Sequence, residues 1–211
     1  MSIDRMILGF NSFRSQYFEK NKPLYQKLVR DGQNPNIAVV ACSDSRVDPA
    51  IVLQAEPGDI FSIRNVANLV PPFVSDDSHH GTSAALEFAV CGVGVEHIII
   101  FGHAHCAGIG AMIKEQKGEH MPWHFVGPWA NIAAEAYRRT KNEMPDASGE
   151  TEARCCEKNS VLVSLENLMT FPFIAERVKD GRLTLHGWYL DIVEGTLLSY
   201  DPEKKSFKKI D

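Results

Sequence analysis

The fold is decided by one stretch, Ile37-Ala38-Val39-Val40-Ala41-Cys42-Ser43-Asp44-Ser45-Arg46. Its first five residues are apolar and mostly β-branched, which is typical of a buried strand in a parallel sheet. A thiol, a carboxylate and a guanidinium follow at alternate positions, on Cys42, Asp44 and Arg46. Open α/β sheets hold their ligands in a crevice outside the carboxyl ends of the strands. The stretch therefore predicts an α/β fold with a functional site at the end of this strand.

A second strand repeats this arrangement further along the chain. Residues 98–101 are an apolar run, and they lead into Gly102-His103-Ala104-His105-Cys106. Residues 81–90, between the two strands, have the pattern of a helix with Thr82 or Ser83 as its N-cap. This β-α-β order predicts a mostly parallel central sheet flanked by helices, with both strand ends at one edge.

The remaining elements complete the sheet and its helical layers. They are strands at residues 60–67, 183–191 and 196–200 and helices at residues 47–54, 129–141, 161–169 and 174–179. Residues 142–157 are polar, which predicts a mobile loop. The predicted fold class is thus α/β, with about four parallel strands plus an edge strand.

The first 31 residues form a predicted helical arm. Apolar residues, four of them aromatic, recur at helical spacing over residues 3–20. Pro23 then opens a second helix, which Gly32 ends. This arm could pack on its own domain or on a partner subunit, and we favour the partner because aromatic residues are enriched at protein interfaces. The arm, residues 1–31, and the rest of the chain are expected to make a single domain spanning residues 1–211.

Composition excludes several classes of protein. The chain has 211 residues, 44% of them hydrophobic, which is the usual range for one α/β domain. Its net charge of −5 argues against a nucleic acid partner, and no apolar run reaches the roughly 20 residues that span a bilayer. Asp4 and Arg5 interrupt the N-terminal apolar pattern, so no signal peptide is expected. With an odd number of cysteines, five, these features predict a cytoplasmic protein with free thiols.

Cys42, His103 and Cys106 form a candidate metal site. Two thiolates and an imidazole suit zinc, which takes sulfur and nitrogen ligands in tetrahedral geometry. Three protein ligands leave a fourth position open, as in catalytic zinc sites. His105 is an alternative ligand, although we favour a surface imidazole for it, and a proton carrier near the metal is a further alternative.

Asp44 and Arg46 lie two and four residues beyond Cys42. Arginine can hold a carboxylate through two parallel, charge-assisted hydrogen bonds and so fix its direction. A carboxylate fixed beside a metal-bound water would accept a hydrogen bond from that water and orient its remaining lone pair. The alternative is an ordinary surface ion pair or a helix N-cap, but the position within the ligand motif favours the orienting role.

These motifs resemble those of the β-class carbonic anhydrases, and the resemblance extends over nearly the whole chain. It rests on Cys42-Ser43-Asp44-Ser45-Arg46, His103-x-x-Cys106, residues 57–72, residues 81–90 and His186-Gly187-Trp188. Several long matches in the same order are specific to a family.

The resemblance implies a zinc lyase that is a homodimer or a higher multiple of dimers, such as a tetramer, with the active site at the dimer interface. One zinc ion per chain would be held by Cys42, His103 and Cys106, with water or Asp44 in the fourth position. A zinc-bound hydroxide, oriented by Asp44 and Arg46, would attack CO2 to give bicarbonate and a proton. The substrate cleft would be lined by Gln33, Phe61, Val66 and Phe88.

Three positions depart from the family pattern. Ala107 follows the second zinc cysteine where the family has glycine, and its methyl group would narrow the CO2 pocket or shift the loop. Phe88 replaces a tyrosine of plant-like members, and Val39 replaces a tryptophan that helps some bacterial members to hold an inhibitory bicarbonate. Alternative functions are therefore hydrolysis of carbonyl sulfide or carbon disulfide, which Ala107 leaves open, and zinc binding without catalysis, which the Asp44–Arg46 pair disfavours.

Overall fold

The structure is a computed structural model that describes residues 2–119 and 121–210. Of the predicted domain 1–211, Met1, His120 and Asp211 lie outside the described residues. The chain divides into two compact units, an N-terminal unit up to Asn34 and a larger unit that begins at Pro35. Within the described residues, no helix is long and apolar enough to cross a membrane.

The larger unit is built on a six-stranded sheet. Its strands are β1 (Ile37–Cys42), β2 (Ile60–Asn65), β3 (His97–His103), β4 (Thr184–Asp191), β5 (Thr196–Asp201) and β6 (Ser206–Lys209). Their order is β2-β1-β3-β4-β5-β6, in which the first four strands are parallel and the last two antiparallel. The predicted mostly parallel sheet is confirmed. The sequence does not predict β6, because this short, lysine-rich segment becomes a strand only by pairing with β5.

The register of the strands brings two loops to one edge of the sheet. The first ligand loop is residues 42–46, and the second ligand loop is residues 103–106. Ala41 of β1 pairs with Phe101 of β3, and Cys42 pairs with Asn65 of β2. Strands β1 and β3 run parallel and end together, so that Cys42 and His103 are the last residues of neighbouring strands.

Along the chain, helices precede β1 and lie between the successive strands from β1 to β4. They are α1 (Ile3–Ser12), α2 (Glu19–Asp31), α3 (Pro49–Val52), α4 (Gly81–Glu87), α5 (Ala107–Gln116), α6 (Val126–Ala130), α7 (Ala134–Glu143), α8 (Gly149–Leu168) and α9 (Pro172–Lys179). A π-helical turn over Phe13–Phe18 joins α1 to α2, and another over Phe88–Val93 extends α4.

Both faces of the sheet are covered, which explains why its inner strands are continuously apolar. On one face, Val39, Ile99 and Phe101 belong to a buried cluster with side chains of α5, α7 and α8. On the other face, Val40 and Ile100 belong to a second cluster with side chains of α4, α8 and α9. Alternate residues of one strand therefore serve opposite layers, and α8 contributes to both.

The prediction of a mobile loop over residues 142–157 is wrong, because α8 begins at Gly149. Glu152 of α8 is buried and lies between two lysines. Its Oε2 is 2.5 Å from Lys117 Nζ, and its Oε1 is 2.6 Å from Lys141 Nζ. Composition cannot distinguish a charge that is paired inside a protein from one that is solvated, so the sequence pattern indicated a loop.

The N-terminal unit is helical from Ile3 to Asp31. Pro23 lies inside α2, so the prediction that it opens a second helix is wrong. Proline has no N–H, so Pro23 removes one backbone hydrogen bond from α2. Phe18 and Tyr25 lie on either side of it in the sequence, and their rings pack with centroids 5.0 Å apart. Gly32 follows the helix with a φ of 83°, which glycine adopts without the strain of a side chain.

The predicted N-caps of α4 are also wrong. The cap position is His80, and neither Thr82 nor Ser83 occupies it. Thr82 Oγ1 instead accepts a hydrogen bond from Asn65 Nδ2 at 3.2 Å, which links α4 to the end of β2. The Thr82 hydroxyl therefore makes a tertiary contact and not the helix cap that the local pattern predicted.

We expect Glu152→Ala to lower the free energy of unfolding by about 1.5–3 kcal/mol, the usual value of a hydrogen bond to a charged group. The substitution removes the partner shared by Lys117 and Lys141, whose side chains are partly buried. The control is Glu176→Ala on an exposed position of α9, which should change stability by less than about 0.5 kcal/mol. Urea unfolding followed by circular dichroism measures both, and equal losses would contradict the prediction.

Candidate metal centre

Three metal-capable side chains meet at the carboxyl edge of the sheet. Cys42 ends β1, His103 ends β3, and Cys106 is the N-cap residue of α5. All three are buried, and their ligand atoms lie within 4.8 Å of one another. They form the only such group within residues 2–119 and 121–210. His105 is exposed and outside the group, so the structure selects His103 of the two candidate histidines.

His103 presents an unpaired nitrogen in this buried site. Its Nδ1 lies 2.8 Å from the backbone carbonyl oxygen of Ala104. A carbonyl oxygen can only accept, so Nδ1 carries the proton and Nε2 keeps a lone pair. Nε2 is buried and has no hydrogen-bond partner among the residues that the structure describes. A buried polar atom without a partner is costly, and a metal ion removes that cost.

The two thiols lie close enough to share one cation. Cys42 Sγ is 4.0 Å from Cys106 Sγ, and tetrahedral ligands at a Zn–S distance of about 2.3 Å would lie about 3.8 Å apart. The hydrogen bond from Cys106 lowers the pKa of Cys42 well below that of a free thiol, and the resulting Cys42 thiolate raises the pKa of Cys106. The second thiol therefore ionises readily only beside a cation. This set of two sulfurs and one nitrogen fits zinc.

Asp44 and Arg46 form a bidentate ion pair beside this group. Arg46 Nε donates to Asp44 Oδ1 at 2.9 Å, and Arg46 Nη2 donates to Oδ2 at 2.6 Å. These hydrogen bonds hold the pKa of Asp44 well below its usual range, so its carboxylate stays charged at neutral pH. Arg46 Nη2 also donates to the carbonyl oxygen of His105 at 3.1 Å. The pair is thereby anchored to the loop between His103 and Cys106.

Arg64 positions the first ligand loop, although the sequence analysis does not single it out. From β2, its Nε and Nη2 donate to the carbonyl oxygen of Cys42 at 3.1 and 2.9 Å. Nη2 also donates to the carbonyl oxygen of Asp44 at 2.8 Å, and Nη1 lies 2.6 Å from Asp48 Oδ2. The turn from Cys42 to Asp44 is therefore held by one side chain. The signal in the sequence is an arginine inside a strand of a covered sheet.

Comparison with known proteins agrees with this geometry. A family model described as carbonic anhydrase matches residues 37–197. Beta carbonic anhydrase 3 of Arabidopsis thaliana is 39% identical over 196 residues, which are 92% of this chain and 75% of that protein. The chain belongs to the β-carbonic anhydrase family. The resemblance stated from the motifs is thereby confirmed.

Solved β-carbonic anhydrases share the fold. The structure of the β-carbonic anhydrase CcaA is 35% identical, with a TM-score of 0.90 over 99% of this chain and 92% of that one. One of two tetrameric β-carbonic anhydrases from the filamentous ascomycete Sordaria macrospora is 25% identical, with a TM-score of 0.81 over 93% of this chain and 95% of that one.

The residues expected in a carbonic anhydrase substrate cleft lie in several places. The rings of Phe61 and Phe88 pack with centroids 5.9 Å apart. Val66 is partly exposed and lines a pocket of about 590 Å³ that Trp129 also lines. Gln33 belongs to the N-terminal unit. That these side chains bind one substrate stays a prediction.

The close approach that requires glycine falls at Gly108, the second residue of α5. A Cβ added there would lie 2.8 Å from Val66 Cγ1 and 2.9 Å from Ala67 Cβ. Ala67 N in turn donates to Cys42 Sγ at 3.3 Å, so this contact places the start of α5 against the first metal ligand. Ala107, the position at which the resemblance leads us to expect a glycine, is exposed.

We expect Gly108→Ala to destabilise the protein by about 1–3 kcal/mol, the usual cost of overpacking, and to speed zinc release. The reason is that the new methyl group must displace Val66 and Ala67, and Ala67 donates to Cys42. Gly110→Ala is the matched control, because nothing lies within 4 Å of a Cβ added there. It should instead stabilise α5 by about 0.5–1 kcal/mol.

Urea unfolding and transfer of zinc to a coloured chelator measure the two effects. If Gly108→Ala releases zinc no faster than Gly110→Ala, the contact does not support the metal centre.

Proposed function

We propose that this protein is a zinc-dependent carbonic anhydrase, a lyase that catalyses the reversible hydration of CO2 to bicarbonate and a proton. The observation that carries this proposal is the buried Cys42–His103–Cys106 group beside the bidentate Asp44–Arg46 pair. Zinc binding requires only Cys42, His103 and Cys106, whereas a carboxylate held in a fixed direction beside them has a use in catalysis. The family and the relatives named carbonic anhydrase support the same activity.

The reaction depends on the direction of the Asp44 carboxylate. Zinc bound by the three side chains would act as a Lewis acid and lower the pKa of a water ligand. Asp44 accepts a hydrogen bond from the reacting water and directs its lone pair toward CO2. Oδ2 accepts one hydrogen bond from Arg46 and keeps a second lone pair for this purpose. Arg46 prevents the carboxylate from rotating away.

Asp44 is also a predicted metal ligand, as the alternative to water in the fourth position. In the structure both of its oxygens accept hydrogen bonds from Arg46, and it lies outside the three-residue metal group. Ligation would require the carboxylate to leave its guanidinium partner. This geometry supports the orienting role, in which water and not Asp44 would be the fourth ligand of a bound zinc ion.

We assign Phe61, Val66, Phe88 and Ala107 to the apolar wall of the CO2 cleft and Gln33 to its polar contact. The assignment is supported by the exposure of Val66 and Phe88, which are 39% and 55% accessible although apolar. Nothing among the described residues favours carbonyl sulfide or carbon disulfide over CO2. The intact Asp44–Arg46 pair disfavours zinc binding without catalysis.

The proposed assembly is a homodimer or a higher multiple of dimers, such as a tetramer. The described residues of α1 and α2 include none that is buried, and Ile3 and Phe10 are 75% and 60% exposed. An apolar helix face of this kind is typical of a subunit interface. The Sordaria macrospora relatives are described as tetrameric. The proposed compartment is the cytoplasm, which the five free cysteines support.

We expect Asp44→Asn to retain about one zinc ion per chain but to hydrate CO2 about 100-fold more slowly, a typical loss when a proton-accepting group is removed. An amide cannot form the same bidentate pair with Arg46. The control is Asp201→Asn. Asp201 ends β5, away from the metal group, and its carboxylate pairs with Lys208 of β6. Stopped-flow assays with a pH indicator measure the rate, on protein whose zinc content is known.

Wild-type protein with full zinc and no CO2 turnover would overturn the proposed function. An active Asp44→Asn variant with full zinc would overturn only the orienting role.

We expect the rate of CO2 hydration to rise from about pH 6.5 to about pH 9. Two thiolates offset the charge of the dication and leave its water ligand less acidic than neutral ligands do. Asp44 does not set this profile. Hydrogen bonds from Arg46 hold the pKa of its carboxyl group below the usual value of about 3.9, so the folded protein loses this charge only at a pH below that value. Asp44→Asn should therefore lower the rate at every pH and leave a profile that still rises with pH. A flat profile in the wild type would contradict this account.

A further inference from the structure

Glu157 is a buried carboxylate that links three parts of the protein at the second ligand loop. It lies on α8 with a side chain 2% exposed. Its Oε1 accepts a hydrogen bond from Cys106 N at 3.0 Å, and its Oε2 accepts one from Tyr189 Oη at 2.7 Å. Arg154 balances its charge, with Nη2 2.8 Å from Oε1 and Nε 2.8 Å from Oε2.

The hydrogen bond to Cys106 serves a backbone group that α5 itself cannot satisfy. Cys106 is the N-cap residue, and the N–H groups at a helix start have no partner within the helix. In many helices a glutamate or glutamine three residues later reaches back to the N-cap amide. Here that position is Ile109, which has no acceptor. Glu157 supplies the acceptor from a different helix.

Through Tyr189, Glu157 is also tied to β4, the neighbour of the strand that carries the histidine ligand. Tyr189 of β4 pairs with Gly102 of β3, directly before His103. Helix α8 packs closely at the same point, because a Cβ added at Gly102 would lie 2.6 Å from Val161 Cγ2. Glu157 therefore relates the Cys106 amide to the strand end that presents His103.

The use of a carboxylate here is informative because burying one is costly. Burying an unpaired charge is strongly unfavourable, and an apolar contact between α8 and β4 would avoid this penalty. A carboxylate has two oxygens that can accept from an amide, a hydroxyl and a guanidinium at the same time. A need to hold the Cys106 amide therefore explains why a carboxylate, and not an apolar side chain, is buried here.

We propose that Glu157 is a positioning residue of the metal centre, which fixes the Cys106 amide so that the thiolate points at the metal. Once the backbone of Cys106 is fixed, only rotation about its Cα–Cβ bond remains to place Sγ. Glu157 contacts neither the substrate nor the reacting atoms in this role. The inference rests on the metal site of the proposed function but not on CO2 turnover, so that either can fail without the other.

Cobalt substitution tests this role, because thiolate-to-cobalt charge-transfer bands report how each sulfur is bound. The test variant is Glu157→Met, which keeps the side-chain length and removes both acceptors. The matched control is Glu152→Met, since Glu152 is also buried on α8 but pairs only with lysines away from the metal loop. We expect Glu157→Met to alter the charge-transfer spectrum and to release metal to a chelator about 10- to 100-fold faster, the range for loss of a group that orients a ligand.

The control should lower stability in urea while leaving the spectrum and the release rate at wild-type values. Glu157→Gln should restore both readouts to near wild type, because its amide oxygen can still accept from Cys106 N. An unchanged spectrum and release rate in Glu157→Met would overturn the proposal. Equal changes in Glu152→Met would overturn it too, by showing general destabilisation.

If Glu157→Met does not fold, Tyr189→Phe provides the test. This variant removes the hydroxyl that holds Oε2 and so loosens the carboxylate. Metal release several-fold faster than in the wild type would support the proposal, and an unchanged rate would overturn it.

Discussion

Two buried thiols 4.0 Å apart are the constraint on which the rest of this structure depends. Both can be thiolates only beside a cation, because each negative charge opposes the other in a site shielded from water. The surrounding chain holds the backbone on either side of them. Arg64 holds the carbonyl oxygen of Cys42, Ala67 donates to its sulfur, and Glu157 accepts from the amide of Cys106. A metal ion therefore meets ligands whose directions are already set.

Charge around the centre is balanced in separate pairs. Asp44 is paired with Arg46, Asp48 with Arg64, and Glu157 with Arg154. Each carboxylate thus has its own guanidinium, and the charge of the metal remains for the two thiolates and for the fourth ligand. The bidentate Asp44–Arg46 pair also contacts the carbonyl oxygen of His105, so the orienting group and the second ligand loop share one anchor. Orientation and metal binding are in this way parts of the same hydrogen-bonded network.

The fold could be predicted wherever local pattern and tertiary environment agree. The apolar runs of β1 and β3 predicted buried parallel strands because both faces of the sheet are covered. Prediction failed where tertiary contacts override the pattern. The first half of α8 looks like a solvated loop, yet Glu152 is buried between two lysines. Pro23 looks like a helix start, yet α2 runs from Glu19 through it to Asp31, with the rings of Phe18 and Tyr25 packed together.

The sequence by itself determined the fold class and the ligand types, because strand periodicity and the side chains that follow each strand are local properties. It also placed Cys42 and the His103-x-x-Cys106 loop at one edge, since parallel strands end together. Only the tertiary structure decided which histidine joins the group and which side chains hold the loops. Arg64 contacts a carbonyl 22 residues away, and Glu157 contacts an amide 51 residues away. Hydrogen bonds over such separations depend on how layers pack, and no periodicity along the chain encodes them.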